Sequence, residues 1–314
     1  MNLISFSALK KMGVLGMNSR NIEYISRYNE RRRYRLVDNK LETKLAAQKA
    51  GVSVPPLIGV IENQWQVKQF EKLVADRQRF VIKPNRGSGG KGIMVIVGRD
   101  FDFYIKSSGA KLTHQQLRSH ISNILSGLYS LGGKPDTAMI ETIIDYDPVF
   151  NDFTYEGVPD IRVITYRGFP AMAMIRCATH SSDGRANLHQ GAIGVGIDIK
   201  TGHSLRAVQH GNPVSIHPDT GKSFETLAVP DWHTILVLAA GCYEMTKLGY
   251  IGCDIVIDRD RGPVILELNA RPGLAIQMAN GCGLRRPLDC ISAFPEEAFE
   301  QSPEERVAYL LAHT

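Results

Sequence analysis

The chain of 314 residues holds only five cysteines, and no two of them stand in a C-x-x-C pair. An odd count without paired spacing argues against a disulfide framework, so Cys177, Cys242, Cys253, Cys282 and Cys290 read as reduced thiols, mostly buried, in a cytoplasmic protein. Long hydrophobic runs are also missing. The most apolar internal stretch, ILVLAAGCYEM, is too short to cross a bilayer, and the N-terminus MNLISFSALKKMGVLGMNSR lacks the long apolar region of a signal peptide. Neither a membrane span nor a secretory leader is expected. Low-complexity segments and internal repeats are absent, and 29 glycines against 15 prolines point to tight loops rather than disorder. A Walker loop is excluded as well, because Lys91 is followed by Gly92 and then by a strand, not by Ser or Thr and a helix.

Charge is in short supply too. The excess of 37 basic over 32 acidic residues is only +5, which suits an anionic small ligand as well as nucleic acid. The densest basic run, ERRRYR with Arg31, Arg32, Arg33 and Arg35, has thin aromatic interleaving and no accompanying nucleic-acid motif. It reads as a solvated helix face, and no nucleic-acid partner is expected.

What is present alternates strands and helices. The first forty residues look helical, and Leu41, Leu45 and Ala46 continue that spacing until Gly51 caps the helix and Pro55-Pro56 forbids continuation. The stretch 79–100 is strand, glycine loop, strand. Residues 113–133 read as one amphipathic helix, capped by Thr113, striped by Leu117, Ile121, Ile124, Leu125 and Leu128, and stopped by Gly132-Gly133. Short strands follow in TAMIETII, VPDIRVITY, AMAMIRCATH and HQGAIGVGID. A second helix is expected from Asp231, as cap, to Leu248, with Gly249 as terminator. The turn DRDRGP joins two further strands into a hairpin, and Ser302-Pro303-Glu304-Glu305 is a capping box for a terminal helix. At this length two subdomains around a cleft are expected rather than one core.

The chemistry starts in VILELNARPG. Side chains alternate along a strand, so Glu267 and Asn269 project from one face while Leu266 and Leu268 project from the other, toward a core. If the hairpin pairs about DRDRGP, Asp254 comes near both, and three oxygen side chains converge. Magnesium takes such a set, with manganese as an alternative. The bland alternative is that Glu267 and Asn269 face solvent on a half-exposed strand. Lys83 ends the strand FVIK before the glycine loop, where its ammonium could reach phosphates cradled by the amides of Gly87, Ser88, Gly89 and Gly90. His180 and His189 have no second histidine at ligand spacing and read as loop or core residues.

In this company the residues resemble the ATP-grasp carboxylate-amine ligases, and within them the RimK-type ligases that add glutamate to a ribosomal protein. The stretches that carry the resemblance are DNKLETKLAAQKAGVSVPP, FVIKPNRGSGGKGIMVI, MIETII, PDIRVITY, GRANLHQGA, GYIGCDIVID and VILELNARPG, over about residues 38–276. The resemblance implies an α+β ATP-grasp fold with two α/β subdomains gripping the nucleotide between antiparallel sheets. Its expected segments are a helical N-terminal extension (1–37), the first part of the core (38–78), a lid subdomain with the glycine loop (79–143), a C-terminal catalytic subdomain (144–290) and a helical tail (291–314).

The same resemblance makes Lys40 and Lys83 the nucleotide-binding lysines and the 87–92 loop the flap over the phosphates. Ile140, Glu141 and Ile143 fall where the interlobe hinge meets adenine, Asp160 where the nucleotide is held, and Arg185 and Asn187 where the phosphates are reached. Asp254, Glu267 and Asn269 match the magnesium ligands. Arg162, Arg176 and Arg271 are candidates to hold the substrate carboxylate or acyl phosphate, because a guanidinium binds such oxygens bidentately. The implied reaction is amide formation through an acyl phosphate, with ATP, an amino-acid or peptide carboxylate (glutamate foremost) and an amine as substrates. A kinase stopping at phosphoryl transfer and a non-catalytic nucleotide-binding subunit are the alternatives. RimK-type ligases carry a whole α/β domain before the first lysine, whereas only 39 residues precede Lys40 here. The expectation is therefore a short form of the α-L-glutamate ligase-like proteins, whose acceptor site a partner chain or second copy completes.

Overall fold

A strand buried on both faces reads as a nearly unbroken apolar run, and the chain has several such runs, among them AMAMIRC and YIGCDIVID. In a computed structural model, which describes residues 5–87 and 89–314, they become central strands of two antiparallel sheets. The chain forms two units. One comprises Asp38–Lys44 and Pro55–Ile144; the other takes the chain through Val37, then Leu45–Val54 and Asp145–Thr314.

The smaller unit holds a six-stranded sheet made of β1 (Leu57–Ile61), β2 (Phe80–Pro84), β3 (Met94–Asp100), β4 (Phe103–Lys106), β5 (Lys111–Thr113) and β6 (Ala138–Glu141), in the order β1-β6-β2-β3-β4-β5. Phe70, Phe80, Ile82, Tyr104, Ile121 and Ile140 are the heart of its core. The helix His114–Leu125 packs Leu117, Ile121, Ile124 and Leu125 into that core, under the cap and capping box of Thr113 and Gln116. It is shorter than the expected 113–133. Gly127 takes φ +86°, where a Cβ would lie 2.3 Å from the Lys134 carbonyl oxygen, so the chain turns there and leaves Leu128 65% exposed.

The larger unit holds a seven-stranded sheet of β7 (Asp160–Tyr166), β8 (Phe169–Cys177), β9 (Ile193–Ile197), β10 (Ser204–Gln209), β11 (Asn212–Val214), β12 (Tyr250–Asp258) and β13 (Gly262–Asn269), in the order β11-β10-β9-β8-β7-β12-β13. One face packs Ile161, Val163, Ile175, Cys253 and Ile255 against Ile235, Leu236 and Ala239 of the helix Trp232–Thr246. Asp231, the expected cap, makes no side-chain capping bond, and Lys247 rather than Gly249 ends that helix with a left-handed backbone. Gly249 instead lets Tyr28 approach, since a Cβ would lie 2.8 Å from that of Tyr28. The other face carries Ile164, Tyr166, Met172, Met174 and Tyr250 beneath Leu15, Tyr24, Ile25 and Leu288. The terminal helix Pro303–His313 has the capping box of Ser302 and Glu305.

The α+β ATP-grasp fold class expected from the sequence agrees with these two antiparallel sheets and their helices. Two local readings change. In the helix Lys40–Lys49 the expected stripe residue Leu45 is exposed and Lys44 is buried. In β13, Asp254 pairs with Glu267 but Ile255 pairs with Ile265, so Leu266 is an extra, bulged residue. The packing partners are therefore Ile265 and Leu268, not Leu266 and Leu268.

Candidate active site

The charged end of the seven-stranded sheet is set by register. Asp160 and Arg162 are two apart on β7 and so share a face; Asp160 lies opposite Arg176 of β8, and Arg162 opposite Asp254 of β12. Asp254 in turn lies opposite Glu267, and Gly252 opposite Asn269, on β13. The face that is apolar at Tyr166 and Tyr250 is thus ionic at its other end.

The side chains meet as the pairing requires. Arg162 grips Asp254 bidentately, Nε to Oδ1 at 2.7 Å and Nη2 to Oδ2 at 2.6 Å. Arg176 donates from Nε and Nη2 to the two oxygens of Asp160, and from Nη2 also to Asp254 Oδ2 at 2.9 Å. Asn269 Nδ2 donates to the same Oδ2 at 3.3 Å. All four charged side chains are largely buried. Burial pushes the Asp160 carboxyl up to about 6; Arg176 opposes that rise and the neighbouring Asp254 charge adds to it. Burial acts on Asp254 in the same direction, but the guanidiniums of Arg176 and Arg162 together outweigh it and hold that carboxyl below its usual range.

As a donor set for a cation, Asp254, Glu267 and Asn269 offer two carboxylates and an amide, the hard-oxygen chemistry that suits magnesium. Here the Asp254 oxygens are engaged by guanidiniums, and among the described residues no three His, Cys, Asp or Glu side chains form a metal cluster. Arg271 leaves β13 exposed, its guanidinium 5.6 Å from the centre of the Tyr34 ring. Arg185 is exposed beside Asp183 at 3.4 Å, and Asn187 caps the turn Leu188–Gln190 by accepting from His189 N at 3.0 Å. That turn and the segment after β13 line a cavity of about 290 Å³, with Leu188, His189, Val208, His210, Ala275 and Met278 in its wall.

In the smaller unit the glycine loop is pinned at its ends. Arg86 N donates to both oxygens of the buried Asp136, at 3.1 and 2.9 Å, and Lys40 Nζ donates to the Gly87 carbonyl at 2.7 Å. A Cβ on Gly92 would come within 2.5 Å of the Tyr129 ring, which accounts for that glycine. Gly89 and Gly90, with φ of +61° and +76°, meet nothing within 4 Å and give the loop its open middle. Ser88 lies outside the described residues. Ile140 and Glu141 are buried at the end of β6, and Ile143 is half-buried just beyond. Glu141 holds Lys83 at 2.6 Å and Lys44 at 2.7 Å. Lys44 was not singled out by sequence reasoning. Its one signal there is its place four residues after Lys40, a spacing that by itself marks only a shared helix face.

The profile of the sugar-transfer associated ATP-grasp family matches residues 19–293. The chain belongs to that family. No curated protein matches the sequence. Among solved structures, this ATP-grasp chain is similar to a RimK-domain ATP-grasp protein from Sphaerobacter thermophilus, at 13% identity over 83% of this chain and 69% of that one, with a TM-score of 0.47. It is also similar to D-alanyl-alanine synthetase A from Vibrio cholerae, at 12% identity over 89% of this chain and 67% of that one, with a TM-score of 0.45. A third is the ATP-grasp ligase PsnB in complex with a minimal precursor, at 15% identity over 83% of this chain, with a TM-score of 0.43. The chain spans 60% of the PsnB chain, less than two thirds of its length.

Proposed function

We propose that this ATP-grasp protein is an ATP- and magnesium-dependent ligase that joins a carboxylate to an amine through an acyl phosphate. Glutamate is the first amino acid to test, with a peptide or small molecule as acceptor. The observation that carries the reading is the array of Asp160, Arg162, Arg176 and Asp254 on one sheet face, with Glu267 and Asn269 in register beside it.

In this reading a substrate carboxylate oxygen attacks the γ-phosphorus of ATP, the bond from that phosphorus to the β-γ bridging oxygen breaks, and ADP leaves. The amine nitrogen then attacks the acyl carbon, phosphate departs with the carbon-oxygen bonding pair, and the nitrogen loses a proton. Positioning and charge stabilisation do most of the work. Lys40, Lys83 and the amides around Gly87, Gly89 and Gly90, with Ser88 of the same loop, hold phosphates. The backbone at Ile140, Glu141 and Ile143 receives the adenine and Asp160 holds the nucleotide, while Arg185 and Asn187 reach its phosphates. Arg162 and Arg176 engage their aspartates through Nε and Nη2, and their Nη1 groups remain as donors for the substrate carboxylate, with Arg271 as a third candidate. Magnesium, held by Asp254, Glu267 and Asn269, would supply neutralisation of the charge on the transferring phosphoryl group.

The test is mass spectrometry of products after incubation with ATP, magnesium, pooled amino acids and pooled amines. Because the family is described as sugar-transfer associated, amino sugars belong in the amine pool. A product whose mass is the sum of two substrates less water supports the ligase and names both. ADP accumulating with only a phosphorylated product overturns it.

A further inference from the structure

The helix Lys40–Lys49 buries a lysine while the apolar Leu45 beside it is exposed. Lys44 is 5% exposed. Its ammonium lies 2.7 Å from Glu141 Oε1 and also donates to the Pro55 carbonyl. On the other side of the same carboxylate, Lys83 Nζ lies 2.6 Å from Oε2, and Lys83 and Glu141 are themselves buried. One buried carboxylate is thus bracketed by two buried ammoniums, each on its own oxygen.

Three elements meet at this point. Glu141 ends β6, with Val81 of β2 and Leu57 of β1 directly across from it. Lys83 lies two residues beyond Val81, on the same face. Lys44 comes from the helix and is tied by the Pro55 carbonyl to the segment that enters β1. That tie does not depend on Glu141, so Lys44 stays in place if the other contacts rearrange. Burial lowers its pKa to about 8, with Glu141 opposing and Lys83 adding, so at neutral pH it is mostly still a cation.

Breaking a buried ion pair from one side is costly because the remaining charge is stranded. With a single lysine on Glu141, drawing Lys83 away to a phosphate would strand the carboxylate; with two, it would not. We propose that Lys44 is a positioning residue for Lys83: it serves as the standing counter-ion of Glu141, so that the Lys83 ammonium can exchange that carboxylate for a nucleotide phosphate. The proposal rests on the reading of Lys83 as a phosphate-binding lysine.

The test is calorimetric titration of the full chain with a non-hydrolysable ATP analogue and magnesium, in a double-mutant cycle. Lys44→Met should weaken affinity about tenfold, because Lys83 is then the sole partner of Glu141 and the state able to bind phosphate is less populated. In the Glu141→Gln background the same Lys44→Met change should have little effect, since no carboxylate holds Lys83 back. An equal loss in both backgrounds, or none in either, overturns the proposal. Lys83→Met separates the two readings. If it weakens binding while Lys44→Met does not, only the role of Lys44 falls; if Lys83→Met leaves affinity unchanged, the phosphate reading falls and the proposal with it. Should Lys44→Met fail to fold by circular dichroism, Lys44→Gln replaces it in the same cycle.

Discussion

At the scale of single residues, Asp254 is where charge is most concentrated. Two guanidiniums and an amide converge on its carboxylate, and the residue is 3% exposed. Asp254→Asn keeps the shape and removes the charge that Arg162 and Arg176 share. A buried pair broken from one side costs about 3–5 kcal/mol. A clear drop in the urea midpoint is expected, and an unchanged midpoint would mean that the arginines find other partners. Lys44 yields a pH dependence whose sign is fixed. Its ammonium loses its proton near pH 8 when folded, against an ordinary value of 10.5 when unfolded, mainly because burial disfavours the charge. Between those values the unfolded chain binds the extra proton. Stability relative to Lys44→Met should therefore rise with pH across that window, by about 3 kcal/mol at most, and be lost again as pH falls to 8. Denaturant melts of both proteins at pH 7.5, 9 and 10.5 check this; parallel curves would contradict it.

At the scale of elements, much was legible because the signals are local. The strand-loop-strand at 79–100, the hairpin through DRDRGP and the helix behind Ser302 follow from alternation, turn residues and a capping box, each confined to a few positions. The errors share a cause. The helix His114–Leu125 gives way to a turn at Gly127, where the Lys134 carbonyl fills the space a Cβ would need, and Lys134 is a neighbour only after the turn has formed. The bulge at Leu266 depends on how β13 pairs with β12. Replacing two glycines tests the distinction. Gly127→Ala meets both a positive φ and a backbone clash, whereas Gly89→Ala, at φ +61°, meets open space. The left-handed backbone alone costs about 1–2 kcal/mol for a residue with a Cβ. Gly127→Ala should therefore lower the melting temperature clearly more than Gly89→Ala, and the reverse order would sink the account.

At the scale of the whole molecule, the chain changes unit after Val37, Lys44, Val54 and Ile144, so neither unit is a continuous segment. The residues proposed for nucleotide phosphates divide accordingly: Lys40, Lys83 and the glycine loop belong to the smaller unit, Arg185 and Asn187 to the larger. Two measurements bear on the proposed catalysis. Glu267→Gln should abolish ATP turnover while leaving the unfolding transition in place; full turnover would remove Glu267 from the metal set. ADP release should require a carboxylate substrate and quicken when the amine is added. Release that is complete without any amine would favour the kinase.

By itself the sequence determined the ATP-grasp superfamily, the antiparallel strand-and-turn framework and the oxygen and guanidinium side chains proposed for the site, because a motif needs only residue types at fixed spacing. Tertiary structure decided which of those side chains meet. Asp254 is shared by Arg162, Arg176 and Asn269 through pairing across four strands, and Lys44 is buried against Glu141 although its helix position alone would place it in solvent. Register and burial are set by segments far apart in the chain, and only their packing brings such charges together.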